Sequence, residues 1–165
     1  MSTVKLTAEQ REEILRDNWN SHDARWYLKV AQELGFDVAN RLNHIVIRSM
    51  GKTEMKRLAQ AVGAEKVRDV QELLEVFDLM MELYFPQQVY RQRIEHKKRF
   101  RSTVAKCFVA EMVLQAGAAD VYDCACAARF EGWLAALGLE GGVSIERSML
   151  WGEPTCEIVF RIAKW

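Results

Sequence analysis

The sequence is poor in several features that would favour a particular class of protein. Its 165 residues include two prolines and nine glycines, and no cysteine occurs before position 107. Lys plus Arg and Asp plus Glu both number 23, so the formal net charge is zero. Without an excess of positive charge we expect no nucleic-acid partner. Without an apolar run near the ~20 residues of a bilayer span we expect no membrane insertion.

The N-terminal residues lack the apolar core of a signal peptide. We therefore expect a cytoplasmic protein, whose cysteines stay reduced and do not form disulfides. Half of the residues are hydrophobic, which is enough for a sizeable core. The length predicts a single domain over residues 1–165, made of a helical part, 1–86, and an α+β part, 87–165.

The first half has helical patterns. Thr7 and Gln10 form a capping box, and Ser21 and Asp37 can cap further helices. Gly35 and Gly51 stand where helices commonly end. These signals predict helices at residues 7–19, 21–34, 37–51, 53–63 and 65–84.

The second half has strand-like runs, at residues 88–95, 100–107, 143–151 and 155–163, arranged as two hairpins. Helices are predicted between the hairpins, at residues 108–115 and 121–137. The fold class is therefore α+β, a helical N-terminal half packed on a small antiparallel sheet of two hairpins with two intervening helices. The first hairpin is basic, and we interpret it as a solvated edge; its cations are Arg91, Arg93, Lys97, Lys98, Arg99 and Arg101.

The four cysteines lie at predicted element boundaries. Cys107 ends a strand, Cys124 and Cys126 stand at the start of a helix, and Cys156 opens the last strand. Ends of elements can converge, so the pattern predicts one shared thiol site. Thiolates favour zinc or iron, which makes a metal site one interpretation. A reactive thiol at Cys124 or Cys126, near a helix N-terminus, is a second, and plain core cysteines are a third.

Several short motifs carry a resemblance to known families; they are Tyr122–Cys126, Arg129–Trp133, Ala136–Gly138 and Gly152–Ile158, with Glu146 between the last two. Together they resemble the L-2-amino-thiazoline-4-carboxylate hydrolase family. The chain is similar, more distantly, to the 4-vinyl reductase-type small-molecule-binding domains. The resemblance covers about residues 88–163 and implies a small-molecule site near the cysteines.

Some of those binding domains hold zinc through cysteines and a glutamate. The resemblance implies Cys126, Glu146 and Cys156 as ligands, with Cys107 or Cys124 completing the set. The chain departs from the two patterns at two places. Ser148 and Met149 stand where the zinc-holding binding domains have another cysteine. Residues 127–129 do not include an aspartate that is frequent in the hydrolase family.

Two further groups of residues could line a pocket. His22 and Trp26 are four residues apart, so they share one helix face. Asn40 and Asn43, with His44, place polar groups on one face of an otherwise apolar helix. We interpret His22, Trp26, Asn40 and Asn43 as ligand-binding residues; the alternatives are helix capping and a solvated face.

The sequence thus predicts a small-molecule-binding protein with a cysteine-based zinc or iron site in its C-terminal part. The alternative is a small-molecule hydrolase that uses a thiolate or a metal-bound water at the same place, so whether the protein is an enzyme stays open. A homodimer is also predicted, because the fifth helix carries a long apolar stripe that could be exposed. The stripe consists of Val67, Val70, Leu74, Phe77 and Met81.

Overall fold

The computed structural model of the protein describes residues 4–165. The chain divides into two compact units, one that ends at Ala39 and one that runs from Asn40 to Trp165. The first unit contains helix α1, Ala8–Leu34, and the second contains the sheet and the cysteines. The single domain over residues 1–165 stays a prediction.

Helix α1 begins and ends where the sequence predicts. The Thr7 hydroxyl accepts a hydrogen bond from the Gln10 backbone N–H at 3.2 Å, and the Gln10 side chain accepts one from the Thr7 N–H at 3.0 Å. Gly35, with φ of 85°, follows its last turn. The predicted break near position 20 is wrong, because α1 continues through Ser21. The Ser21 hydroxyl accepts a hydrogen bond from Arg25 Nε at 3.1 Å instead of capping a new helix.

Helix α2, Phe36–Val62, passes through Gly51, where the sequence predicted an end. The reason lies in its packing against helix α5, Cys126–Ala136. A Cβ atom at Gly51 would overlap the backbone carbonyl of Arg129, and one at Gly132 would overlap that of Arg48. Both glycines therefore allow two helix backbones to touch, and neither ends a helix.

Helix α3, Val70–Tyr84, begins at an Asp69 cap, five residues later than predicted. The Asp69 carboxylate accepts a hydrogen bond from the Glu72 backbone N–H at 3.0 Å. The predicted apolar stripe, which α3 carries apart from Val67, lies in the core of the second unit rather than on the surface. The premise of the dimer prediction is therefore wrong. The homodimer itself stays a prediction.

Four strands form one antiparallel sheet in the order β1-β2-β4-β3, which confirms the predicted α+β class. The strands are β1, Val89–His96, β2, Arg99–Lys106, β3, Glu140–Arg147, and β4, Cys156–Lys164. Helix α4, Phe108–Gln115, follows β2 and matches its predicted bounds. Helix α5 begins at Cys126, five residues later than predicted, and a short 3-10 turn, Met149–Trp151, precedes β4.

The two faces of this sheet differ sharply. On the inner face Phe100 and Phe160 stack with ring centroids 4.2 Å apart. The Phe77 ring from α3 packs edge-on against them and against Trp133 of α5. On the outer face many of the alternate residues of the same strands are charged, among them Arg101 and Glu157. Within residues 4–165 no helix has the length and apolar composition needed to cross a bilayer.

Candidate functional site

The four cysteines surround the N-terminal end of α5. Cys107 is the residue before α4, Cys124 lies two residues before α5, Cys126 is the first residue of α5, and Cys156 is the first residue of β4. All four are free thiols and half-buried. Three of them, Cys107, Cys126 and Cys156, pack against the hydrophobic core.

Cys124 and Cys126 form a hydrogen-bonded pair with opposite pKa shifts. The Cys126 thiol and the Cys126 backbone N–H both donate to the Cys124 sulfur, and together with the Arg129 charge they lower the pKa of Cys124. The same hydrogen bond and burial raise the pKa of Cys126, and the charges of the three other cysteines add to that increase. Of the two thiols, Cys124 therefore loses its proton more readily, and Cys126 is the donor of the shared hydrogen bond.

This pair depends on where α5 begins. Residues on one helix two positions apart point about 200° away from each other, since each residue turns by ~100°. Because Cys124 precedes the helix, its sulfur can turn back over the first turn of α5. Backbone N–H groups at that end have no partner within the helix and stabilise negative charge. A thiolate is thus favoured at this position.

Cys107 and Cys156 are the electrostatic neighbours of the pair. Burial raises the pKa of Cys107 to about 11, and the charges of Cys124 and Cys156 contribute in the same direction. The Cys156 sulfur accepts a hydrogen bond from the Met149 backbone N–H at 3.4 Å and lies 3.9 Å from the Ser148 hydroxyl. Cys107 therefore stays protonated at neutral pH. The Cys156 sulfur is hydrogen-bonded to the turn that precedes β4.

Asn40 holds the loop that carries Cys124. Its side-chain amide donates to the Val121 carbonyl at 2.8 Å and accepts from the Asp123 backbone N–H at 3.0 Å. His44, one helical turn further along α2, places Nε2 3.1 Å from Asp123 Oδ2. The structure thus gives Asn40 a positioning contact. Its predicted role in ligand binding stays a prediction.

Arg129 is a site residue that sequence reasoning missed. Its guanidinium lies 3.8 Å from Glu54 and 5.0 Å from the centre of the Phe85 ring. Glu54 is buried and accepts a hydrogen bond from Trp133 Nε1 at 3.3 Å. The signal in the sequence was its spacing, since Arg129 stands three residues after Cys126 on the same helix and therefore on a neighbouring face.

Glu146 does not join the cysteines. Its carboxylate accepts hydrogen bonds from Arg101 at 2.7 Å and Arg161 at 3.2 Å on the outer face of the sheet. Along β4, Glu157 faces outward, whereas Cys156 lies on the inner face together with Ile158 and Phe160. The resemblance implied Glu146 as a metal ligand together with Cys126 and Cys156. The structure bonds its carboxylate to arginines of the outer face, and its role as a ligand stays a prediction.

No group of three or more His, Cys, Asp or Glu residues in the described chain, 4–165, is arranged to hold a metal ion. Zinc or iron at Cys107, Cys124, Cys126 and Cys156 stays a prediction. The other predicted ligand-binding residues lie on helices. His22 and Trp26 are exposed on α1, Asn43 is buried on α2, and their role in binding also stays a prediction.

Comparison with known proteins gives the family. The model of the L-2-amino-thiazoline-4-carboxylic acid hydrolase family matches residues 21–160, most of the chain and all four cysteines. The chain belongs to this family. No curated protein sequence matches it.

A solved structure shows a similar fold. It is that of a trafficking protein particle complex subunit 3 from Naegleria fowleri, described as covalently bound to palmitic acid. The two chains superpose with a TM-score of 0.61 and share 12% identity, over 94% of this chain and 96% of that one. At so low an identity the similarity shows a common fold.

Proposed function

We propose that the protein is a small-molecule hydrolase in which Cys124 is the nucleophile. The observation that carries the proposal is the pair of donors, the Cys126 thiol and the Cys126 backbone N–H, that lower the pKa of Cys124. The thiolate is the reactive form of cysteine, and a helix N-terminus with a nearby cation is a typical environment for one. Membership in a hydrolase family supports the same assignment.

The family description suggests the substrate class, a small ring with an electrophilic carbon between nitrogen and sulfur. The Cys124 thiolate would attack that carbon, and the bond from the carbon to the ring sulfur would break, with a proton passing to the departing sulfur. One water would then hydrolyse the thioester-like adduct and release Cys124. Arg129, which also lowers the pKa of Cys124, supplies a positive charge for a substrate carboxylate.

Binding without turnover is the second candidate. Three of the four cysteines pack against the apolar core, and the protein of similar fold is described as covalently bound to palmitic acid. A thiol in such surroundings could retain a ligand instead of releasing a product. Turnover separates the two functions, because a binding protein consumes no substrate beyond one equivalent.

Alkylation of the native protein tests the thiolate. Iodoacetamide at pH 7, followed by peptide mapping, should modify Cys124 before Cys107, since the pKa of Cys124 is lowered and that of Cys107 is raised to about 11. The rate at Cys124 should level off below pH 9, the ordinary pKa of a cysteine thiol. Equal rates at the two cysteines would contradict the assignment.

The catalytic role is tested with 2-amino-thiazoline-4-carboxylic acid and related small heterocycles as substrates. Cys124→Ser should lower the rate by about a thousandfold or more, because a serine hydroxyl lacks thiolate character at neutral pH. Cys107→Ser is the matched control, and it should keep most of the activity. A Cys124→Ser protein with unchanged turnover would rule out nucleophilic catalysis at this residue.

Metal analysis separates this mechanism from the metal centre that the sequence predicts. Protein purified without an affinity tag should carry about one zinc or iron per chain if the four cysteines are ligands. Cys156→Ser should then lose both metal and thermal stability, because metal binding is coupled to folding. Full activity of a metal-free protein would support the thiolate mechanism and would contradict the predicted metal centre.

A further inference from the structure

The outer face of the sheet carries more positive than negative charge, although the whole chain is neutral. The registers of the four strands place arginines there in excess of glutamates. These residues are Arg91, Arg93, Arg99, Arg101, Arg147 and Arg161, with Glu95, Glu146 and Glu157. We call this set the outer-face charges.

Arg101 forms hydrogen bonds with all three acidic members of the set. Its guanidinium donates to Glu95 at 2.8 Å and to Glu146 and Glu157 at 2.7 Å each. The bond from Arg101 to Glu95 lowers the pKa of Glu95 to about 2, with a smaller contribution from a bond donated by Arg93. The three carboxylates are therefore committed to a rigid network at the middle of the face.

Arg91 and Arg147 lie outside this network. Both are exposed, and within residues 4–165 neither side chain has an ion-pair partner. The strand register places them at the two ends of one row. Arg91 pairs with Thr103, Thr103 with Glu157, and Glu157 with Arg147. Adjacent strands are spaced by ~4.8 Å, so the backbones at the two ends of the row are about 14 Å apart.

A depression with a volume of about 750 Å³ lies over this row. Arg91 and Arg93 line it at one end, Arg147 lines it at the other, and Thr103 and Glu157 lie between them. Pockets of roughly 300–1,000 Å³ are typical of sites for small molecules. A single phosphate would fill only a small part of the depression, and at its middle would face the Glu157 carboxylate.

We propose that the outer face binds an elongated small molecule with a phosphate or carboxylate at each end and hydroxyl groups between. Arg91 and Arg93 bind one end and Arg147 binds the other, since the guanidinium fork matches the oxygens of both anions. Thr103 and Glu157 accept hydrogen bonds from the central hydroxyls. Because Cys156 lies on the inner face, the proposal does not depend on the thiol chemistry.

Calorimetry on the full chain tests the proposal, with a hexose 1,6-bisphosphate, a hexose 6-phosphate and inorganic phosphate as probes. The bisphosphate should bind at least about tenfold more tightly than either single phosphate, because only it reaches both ends of the row. Arg91→Gln and Arg147→Gln should each weaken its binding about tenfold, the usual effect of losing one charged hydrogen bond. Arg41→Gln, an exposed arginine of α2 outside the depression, is the matched control and should bind normally.

Three results would overturn the proposal: no binding of the bisphosphate at millimolar concentration, equal affinity for the bisphosphate and the monophosphate, or equal losses in the Arg41 and Arg147 variants. Vesicles of anionic lipid and duplex DNA serve as further probes. Tighter binding to either of these than to the bisphosphate would show that the face attracts an extended polyanion and would likewise overturn it.

Discussion

The two faces of the sheet are built from alternate residues of the same strands, yet the inner face is held together by apolar packing and the outer face by ion pairs. Phe100 is fully buried and stacks on Phe160, whereas its neighbour Arg101 is bonded to three carboxylates. Burial is the first cause of the raised pKa of Cys107, beside the core, and hydrogen bonds from arginine are the first cause of the lowered pKa of Glu95. The inner face therefore changes thiol chemistry through exclusion of water, and the outer face changes carboxylate chemistry through charge.

The largest loss of stability is expected from a substitution in the core beneath the inner face. Phe77→Ala should lower the free energy of unfolding by about 3–5 kcal/mol, since it leaves a cavity among aromatic rings. The Phe77 ring contacts Phe100, Trp133 and Phe160, with centroids 5.1 to 5.9 Å away. Urea denaturation measures the change. Leu79→Ala, at a half-exposed position of the same helix, is the control, and an equal loss there would contradict the account.

A smaller effect is expected where the helices touch. Gly132→Ala should cost about 1–3 kcal/mol of unfolding free energy, because the added methyl group overlaps the Arg48 carbonyl and the backbones must separate. Gly142→Ala is the matched control, since a Cβ atom at that strand position meets nothing within 4 Å. Denaturation of both variants checks the prediction, which fails if the two are equally stable.

Removal of the loop anchor should have a more local effect. Asn40→Ala deletes two hydrogen bonds to residues 121 and 123 and should cost about 1 kcal/mol of stability. It should also slow alkylation of Cys124 at pH 7, because the sulfur is then less well held over α5. Asn18→Ala, an exposed residue of α1, should change neither quantity. A purely structural role would lower stability and leave the alkylation rate unchanged.

The smallest effect is expected on the outer face. The pKa of Glu95 is about 2 in the folded chain and 4.5 ordinarily, so its contribution to stability is present above pH 4.5 and is lost as the pH falls toward 2. Glu95→Gln should therefore lower the melting temperature slightly at pH 7 and less at pH 3. The exposed Glu153→Gln variant is the control. A larger difference at pH 3 than at pH 7 would reverse the sign and contradict the assignment.

Local signals predicted part of this structure well. The Thr7 capping box, the end of α1 at Gly35 and the bounds of α4 all depend on residues close in the chain, and the structure has them. Gly51 was misread, because the same residue type serves a helix end and a close helix crossing. Only the position of Gly132, far along the chain, distinguishes the two roles.

The candidate site shows the same division. The sequence drew attention to Cys124 and Cys126 because two thiols stand near a helix start. It could not show that α5 begins after Cys124, nor that Arg129 and Asn40 lie beside that loop. The bonds of Glu146 to arginines of the outer face could not be predicted from the sequence either, since one step along a strand moves a side chain to the opposite face.

The sequence by itself determined the α+β class, the hairpins and the residues able to carry thiol chemistry, because period, turns and caps are local properties of the chain. Tertiary structure decided which cysteine has the lowered pKa and which strand face is charged. A pKa depends on burial and on neighbours from distant segments, and such neighbours exist only once α5, the loop before it and the sheet have packed together.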